Sequence, residues 1–192
     1  MKLILSSCDF HNPCSRQCIL DNLDKPLDRC RVLFVPNETA SRKAIHSGKF
    51  HQRLHELGFS EKNITVLDYY EAERYADLDI DLLYVSGGNT FQIIHRLRKH
   101  HFDEAIVQYV KQGVTYIGGS AGAHIVSKDI SHVLAYDTNP NGITDFRGLA
   151  LFNGILICHF CEERRPHYEE LRAKNRYPVY PLTNDDSLVI ET

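Results

Sequence analysis

The sequence predicts an α/β fold, a three-layer sandwich in which helices cover both faces of a mostly parallel sheet. One supporting observation is that short apolar runs, typical of buried strands, alternate with longer segments of helical spacing. A second is the segment 114–125, VTYIGGSAGAHI, in which a strand-like run enters the glycines around Ser120 and a helix-compatible run follows. This pattern is typical of a nucleophile elbow, a tight strand-to-helix turn that exposes a serine hydroxyl at the edge of a sheet.

The N-terminal half contains the first four predicted strands. They are residues 2–6, 31–35, 64–67 and 82–85, each an apolar run bounded by polar, glycine or proline residues. Between the first two, residues 7–30 predict a loop with a helical turn. Residues 39–57 predict one helix that Gly58 ends, and residues 69–75 predict a turn of helix.

The C-terminal half continues the alternation. After the glycine turn Gly87-Gly88, helices are predicted to about residue 100 and over 103–112, and another follows the elbow over 121–127. Residues 129–153 are turn-rich. Apolar runs at 154–157 and 178–182 predict strands around a charged helix at 162–174. The last strand, 187–190, has no obvious partner after it, as expected if the natural chain extends past Thr192.

Length and composition place limits on the class of protein. A chain of 192 residues with 43% hydrophobic and 24% charged residues predicts a single globular domain spanning 1–192. The net charge of −3 gives no reason to expect nucleic-acid binding, and no apolar run is long enough to span a membrane. We therefore expect a cytoplasmic protein. Its six cysteines are expected to be free thiols, and their spacing matches no common metal site, so no metal or cofactor is predicted.

Ser120 is the predicted nucleophile, and a serine hydroxyl needs a base to remove its proton. Of the eleven histidines, His159 is the predicted base because it ends an apolar strand at the same edge of the sheet. His124 lies on the helix after the elbow, so its ring is not expected to reach the hydroxyl. The backbone N–H groups of Ala121 and Gly88 are the predicted donors to an oxyanion.

The third member of a serine triad is normally a carboxylate that orients the histidine. Asp185 and Asp186 follow the strand at 178–182, and Asp137 lies in the irregular region after the elbow helix. We predict Asp185 in this role, with Asp186 and Asp137 as open alternatives. Each of them could equally serve as a turn or helix-capping residue.

The sequence resembles the aspartyl dipeptidase (dipeptidase E) family of serine peptidases, a group that also contains cyanophycinases. The residues that carry the resemblance are GGNTF at 87–91, GGSAGA at 118–123 and the strand ending in His159-Phe160. The resemblance implies a flavodoxin-like or class I glutamine-amidotransferase-like fold. It also implies Ser120 as nucleophile, His159 as base and Gly88 as the oxyanion glycine. At the family's acid position the nearest alignment places Asn184, with Asp185 one residue later.

The predicted function is therefore a serine-type peptidase of small peptides, including those with an N-terminal aspartate. Arg164 and Arg165 follow His159 and are the predicted cations for a substrate carboxylate, with Arg172 and Arg176 as alternatives. Two other functions stay open: a non-peptidase hydrolase (esterase or amidase), and an inactive small-molecule-binding scaffold, which Asn184 would favour. The expected partner is a small peptide, bound by a monomer or homodimer.

Overall fold

The computed structural model describes residues 1–192. The strands are β1 (Lys2–Ser6), β2 (Val32–Val35), β3 (Ile64–Val66), β4 (Leu82–Val85), β5 (Thr115–Gly119), β6 (Ile155–Ile157), β7 (Val179–Pro181) and β8 (Ser187–Glu191). The α-helices are α1 (Pro13–Asp21), α2 (Arg42–His46), α3 (Lys49–Leu57), α4 (Thr90–Lys99), α5 (Asp103–Lys111), α6 (Ala121–His124) and α7 (Arg165–Lys174). Short 3₁₀ helices lie at Asp9–His11, Leu27–Arg29, Glu61–Asn63, Tyr69–Tyr75, Ser131–Ala135 and Glu162–Arg164.

Six strands form the main sheet in the order β3-β2-β4-β5-β1-β8. All neighbouring pairs are parallel except β8, which pairs antiparallel with β1. The four strands β1, β2, β4 and β5 consist almost entirely of buried residues. Continuous burial is expected of parallel strands that helices cover on both faces.

Side-chain contacts place helices on both faces of the sheet. Phe34 of β2 and Tyr84 of β4 share one face, and α3 covers that face through Phe50, whose ring lies 5.7 Å from that of Phe34. Tyr116 of β5 points to the opposite face, where its hydroxyl donates to the carbonyl oxygen of Gly122 in α6 at 2.6 Å. The predicted three-layer α/β sandwich with a mostly parallel sheet is confirmed.

Two helical segments differ from the sequence predictions. Residues 39–57 form two helices rather than one, because Gly48 adopts a left-handed conformation (φ 81°) between α2 and α3. Residues 7–30 contain the nine-residue helix α1, which begins with Pro13 and is capped by the side chain of Asn12. Its apolar periodicity is weak in the sequence because Ser15 and Ile19 are its only buried residues.

The C-terminal region also differs. Strands β6 and β7 form their own two-stranded parallel sheet and do not join the main one. Helix α6 is a single turn that ends at His124 and not near residue 127. The strand β8 pairs with β1, a partner that the sequence pattern did not reveal. No helix of the structure combines the length and apolar character that crossing a bilayer requires.

The main sheet determines where a site can form. Because β1, β2, β4 and β5 are mutually parallel, their carboxyl ends lie at one edge of the sheet. Ligands in sheets of this kind bind beyond that edge. A cavity of about 440 Å³ lies there, and it is lined by Ser7, Cys8, Asp9, His11, Asn37, Arg53, Ser86, Gly87, Gly88, Ser120 and His159.

Candidate active site

Ser120 lies at the apex of a tight turn between β5 and α6. Its backbone has φ 49° and ψ −108°, a conformation that residues with a side chain rarely adopt and that costs roughly 1–3 kcal/mol. The backbone N–H of Ser120 donates to the carbonyl oxygen of Ser6 in β1 at 2.8 Å, which fixes the turn to the neighbouring strand. The turn leaves the Ser120 side chain facing the cavity.

Two glycines allow this turn to pack closely. A methyl group on Gly118 would lie 2.6 Å from the carbonyl oxygen of Gly122, and one on Gly122 would overlap the carbonyl group of Val85 in β4. The sequence pattern of glycines on both sides of Ser120 is therefore explained by close contact between β5, α6 and β4.

His159 reaches Ser120 from the segment after β6. The Nε2 atom of His159 lies 3.0 Å from the Oγ atom of Ser120. Its backbone N–H donates to the Ser7 hydroxyl at 2.9 Å, and that hydroxyl donates to the carbonyl oxygen of Leu182 at 2.9 Å. The structure thus brings together the predicted serine and histidine, and Ser7 fixes the loop that carries the histidine.

The side chain that contacts the other nitrogen of His159 is Asn184, with its Oδ1 atom 2.7 Å from Nδ1. An amide oxygen accepts hydrogen bonds only, so Nδ1 carries the proton and Nε2 is left unprotonated towards Ser120. This is the tautomer that a general base requires.

The prediction of Asp185 as the partner of His159 is wrong. Asp185 accepts a hydrogen bond from the side chain of Asn12 at 2.7 Å, and Asp186 accepts from the backbone and hydroxyl of Thr183 at 2.9 and 2.7 Å. The turn that Asp186 and Thr183 form directs residue 184, rather than 185, towards the histidine.

The alternative Asp137 does not contact His159 either. Its carboxylate accepts a hydrogen bond from the backbone N–H of Thr90 at 2.8 Å. Thr90 is the first residue of α4, where a negative charge stabilises the helix end. Asp137 therefore has a helix-capping role.

The two predicted oxyanion donors are both without an acceptor inside the protein. Neither the backbone N–H of Gly88 nor that of Ala121 makes a hydrogen bond to a backbone or side-chain atom. Gly88 lines the same cavity as Ser120, and a methyl group on the adjacent Gly87 would lie 3.5 Å from the Cβ atom of Ser120. The glycine turn after β4 thus faces the serine.

The sequence model of peptidase family S51 matches residues 3–192. The chain belongs to peptidase family S51. The resemblance to the dipeptidase E family is confirmed, and membership in this family supports peptidase activity.

Similar proteins agree with this assignment. An uncharacterized peptidase of Listeria monocytogenes is 28% identical over 83% of this chain and 81% of its own length. A peptidase E of Haemophilus influenzae is 28% identical over 97% of this chain and 80% of its own length. The solved structure of a candidate peptidase E protein from Listeria monocytogenes has a TM-score of 0.76 at 24% identity, covering 98% of this chain and 93% of that one. A peptidase from an acI-B1 Actinobacterium has a TM-score of 0.65 at 19% identity, covering 99% and 83%. These two structures are similar in fold.

In this S51 chain, the two arginines predicted to receive a substrate carboxylate lie outside the cavity lining. Arg164 donates to the carbonyl oxygen of Cys158, and its guanidinium lies 4.1 Å from the ring centre of Tyr136. Arg165 forms a bidentate pair with the exposed carboxylate of Glu162, at 2.7 and 2.6 Å. The prediction for both residues needs correction, because each guanidinium is occupied by groups outside the cavity.

The cation that does line the cavity of this S51 chain is Arg53 of α3, accompanied by His11 and Asp9 from the segment after β1. Sequence reasoning missed all three. Asp9 and His11 could have been recognised as candidates, since they lie shortly after the carboxyl end of β1. The sequence did not show, however, that β1 lies beside β5. Nothing in the sequence distinguishes Arg53 from the other charged residues of its helix.

Two cysteine thiols and one further imidazole near Ser120, those of Cys8, Cys158 and His124, favour their neutral forms. Burial, together with the charges of Asp9 and Asp185, raises the pKa of the Cys8 thiol above its usual value. Burial also raises the pKa of Cys158 to about 12 and lowers the pKa of His124 well below its usual range. His124 contacts the Thr90 hydroxyl at 3.2 Å and the backbone N–H of Cys158 at 3.4 Å, away from Ser120. Ser120 with His159 is therefore the pair best suited to nucleophilic chemistry.

Proposed function

We propose that this protein is a serine peptidase that hydrolyses small peptides, with Ser120 as nucleophile, His159 as general base and Asn184 as the residue that orients the histidine. The observation that carries the proposal is the 3.0 Å distance from Ser120 Oγ to His159 Nε2, with Asn184 on the opposite side of the ring. The strained backbone of Ser120 between β5 and α6 supports its assignment as a nucleophile elbow.

Acylation begins when the Oγ atom of Ser120 attacks the carbonyl carbon of the scissile peptide bond. The Nε2 atom of His159 takes the hydroxyl proton, and the Nδ1–H group continues to donate to the oxygen of Asn184. The carbonyl oxygen becomes an oxyanion, to which the N–H groups of Gly88 and Ala121 donate. His159 then returns the proton to the departing amine, and an acyl-enzyme remains.

Deacylation repeats these steps with water in place of the serine. His159 removes a proton from the water that attacks the acyl carbon, and the oxyanion again lies between Gly88 and Ala121. Collapse of the second tetrahedral intermediate breaks the bond to Ser120 Oγ, which recovers its proton from His159. The groups that this sequence of steps needs are all side-chain or backbone groups of the chain itself.

The substrate proposed is a peptide short enough for the open cavity of about 440 Å³, and peptides with an N-terminal aspartate are the first to test. The six free cysteines are typical of a reducing compartment, which supports the prediction of a cytoplasmic protein.

The experiment combines an active-site probe with a peptide assay. A fluorophosphonate should modify the wild-type protein at Ser120, as located by peptide mass spectrometry, and should not modify Ser120→Ala. Wild type should cleave Asp-Leu faster than Ala-Leu, and Ser120→Ala should cleave neither. Circular dichroism should show that both proteins are folded.

The other outcomes separate the alternatives. Labelling of Ser120 with ester hydrolysis but no cleavage of any peptide would indicate a non-peptidase hydrolase. Absence of both labelling and hydrolysis in a folded wild-type protein would refute the proposal and favour the inactive scaffold, which the amide at position 184 would explain.

A further inference from the structure

The cavity in front of Ser120 has an unusual charge arrangement. Its lining is almost entirely polar, with a single hydrophobic residue, and Arg53 is the one Lys or Arg in it. Because the lining has only one hydrophobic residue, its specific contacts to a substrate come mainly from polar and charged groups.

Arg53 has no carboxylate partner within the protein. Its one side-chain contact is from Nη2 to the Nε2 atom of His11, at 2.6 Å. Several other arginines of the chain are paired with carboxylates, as Arg31 is with Asp81 and Arg42 with Asp68. Since a guanidinium has five N–H donors, most of those of Arg53 stay available to a ligand in the cavity.

The contact with His11 gives Arg53 a defined position. The Nδ1 atom of His11 lies 2.6 Å from a carboxylate oxygen of Asp9, so Nδ1–H donates to Asp9 and Nε2 accepts from Arg53. Asp9 is itself held in place, because its side chain is buried and its backbone N–H donates to the Ser6 hydroxyl at 2.9 Å. A methyl group on Gly119 would lie 2.7 Å from the Cβ atom of Asp9, which shows how closely Asp9 packs on the strand that carries Ser120.

We propose that Arg53, held by His11 and Asp9, binds a carboxylate group of the substrate and so makes the enzyme selective for anionic small peptides. The inference rests on the proposed peptidase function and assigns its specificity to a residue of α3. Arg53 thus takes the role that the sequence predicted for Arg164 and Arg165, whose guanidinium groups are bound to other groups outside the cavity. The carboxylate could belong to an acidic side chain or to the C-terminus of a dipeptide, and the guanidinium chemistry is the same for both.

The test compares Arg53→Gln with wild type on Asp-Leu, Asn-Leu and the C-terminal amide of each. The substitution removes the charge and the guanidinium fork and leaves a shorter, neutral polar side chain. Wild type should prefer the peptides that contain the bound carboxylate by about 10- to 100-fold in kcat/KM, and Arg53→Gln should lose that preference. Loss of the Asp-over-Asn preference identifies a side-chain carboxylate, and loss of the acid-over-amide preference identifies the C-terminal one.

The matched control is Arg29→Gln, which makes the same charge change at an exposed position on the 3₁₀ helix Leu27–Arg29. It should retain the wild-type preference. If Arg53→Gln lowers kcat/KM equally for all the peptides, or changes none of them, the inference is wrong.

A binding measurement keeps this inference separate from the proposed catalysis. Asp-Leu and an analogue without carboxylates, Asn-Leu amide, are titrated calorimetrically into Ser120→Ala and into the double variant Ser120→Ala/Arg53→Gln. Tighter binding of Asp-Leu that disappears with Arg53 supports the inference even if no variant cleaves peptides. Equal binding by the two proteins, or none by Ser120→Ala, overturns it.

Discussion

In the proposed mechanism the amide of Asn184 limits how well His159 can act as a base, and replacing Asn184 by Asp should raise activity. Aspartate has the same length, so a carboxylate oxygen would take the place of Oδ1, 2.7 Å from the Nδ1 atom of His159. When His159 accepts the proton of Ser120 its ring becomes positively charged. A carboxylate stabilises that charge, whereas an amide offers only a dipole.

The size of the expected gain follows from the distance between the two charges and from the exposure of residue 184. Unit charges about 4 Å apart attract by about 1 kcal/mol in water and about 4 kcal/mol at a typical protein surface. Residue 184 is exposed, so the lower part of that range applies. A stabilisation of about 1–2 kcal/mol corresponds to an increase of roughly 5- to 30-fold in kcat/KM for Asn184→Asp.

A second effect acts in the same direction. Nothing binds the Nδ2 group of Asn184, so its amide can rotate and present N–H donors to His159. The ring would then need the opposite tautomer, in which Nε2 carries the proton and cannot accept one from Ser120. The two oxygens of an aspartate are equivalent, which removes this unproductive arrangement.

The assay is kcat/KM for Asp-Leu as a function of pH, with Asp185→Asn and the double variant Asn184→Asp/Asp185→Asn as controls. The double variant keeps the net charge and moves the carboxylate by one residue, so it should match the gain of Asn184→Asp. Because a carboxylate favours the protonated imidazole, the acid limb of the profile should also move to higher pH. If Asn184→Asp gives no gain and Asp185→Asn alone reduces kcat/KM tenfold or more, Asp185 rather than Asn184 acts on the histidine.

Other predictions test the support around the site. Ser7→Ala removes both hydrogen bonds of the Ser7 hydroxyl and should lower the free energy of unfolding by about 1–3 kcal/mol in urea denaturation, with reduced kcat because His159 is less well held. Gly122→Ala should lower the thermal midpoint by several degrees or prevent folding, since its methyl group would overlap a β4 carbonyl, whereas Gly142→Ala, at an open turn, should change it less. Cys158 should resist maleimide in the native protein at neutral pH, while the exposed Cys14 and Cys161 react; modification of Cys158 at a similar rate would contradict its burial.

The sequence predicts the sheet and half of the site because both depend on local patterns. Ser120 between close-packing glycines and His159 after an apolar strand are recognisable from their neighbours, and the parallel sheet brings strand ends together. The position of β8 could not be predicted, since it depends on pairing with β1 from the other end of the chain.

The error at residue 184 has a different cause. A carboxylate is the expected partner of a catalytic histidine, which favoured Asp185 over its neighbour, but the hydrogen bonds between Asp186 and Thr183 determine which side chain faces the ring. Arg53 was missed for a similar reason. Its relevance depends on the long-range contact with His11, which no local pattern encodes.

The packing of Asp9 on Gly119 has an evolutionary consequence. A side chain at position 119 would occupy the space of the Asp9 carboxyl group, so the two positions cannot vary independently. We expect S51 sequences with a larger residue directly before the serine of this turn to lack aspartate after the first strand. Such sequences would also lose the support that Asp9 gives to His11 and Arg53. Substitutions at one small residue of the elbow could thus have accompanied changes of substrate preference as the family diversified.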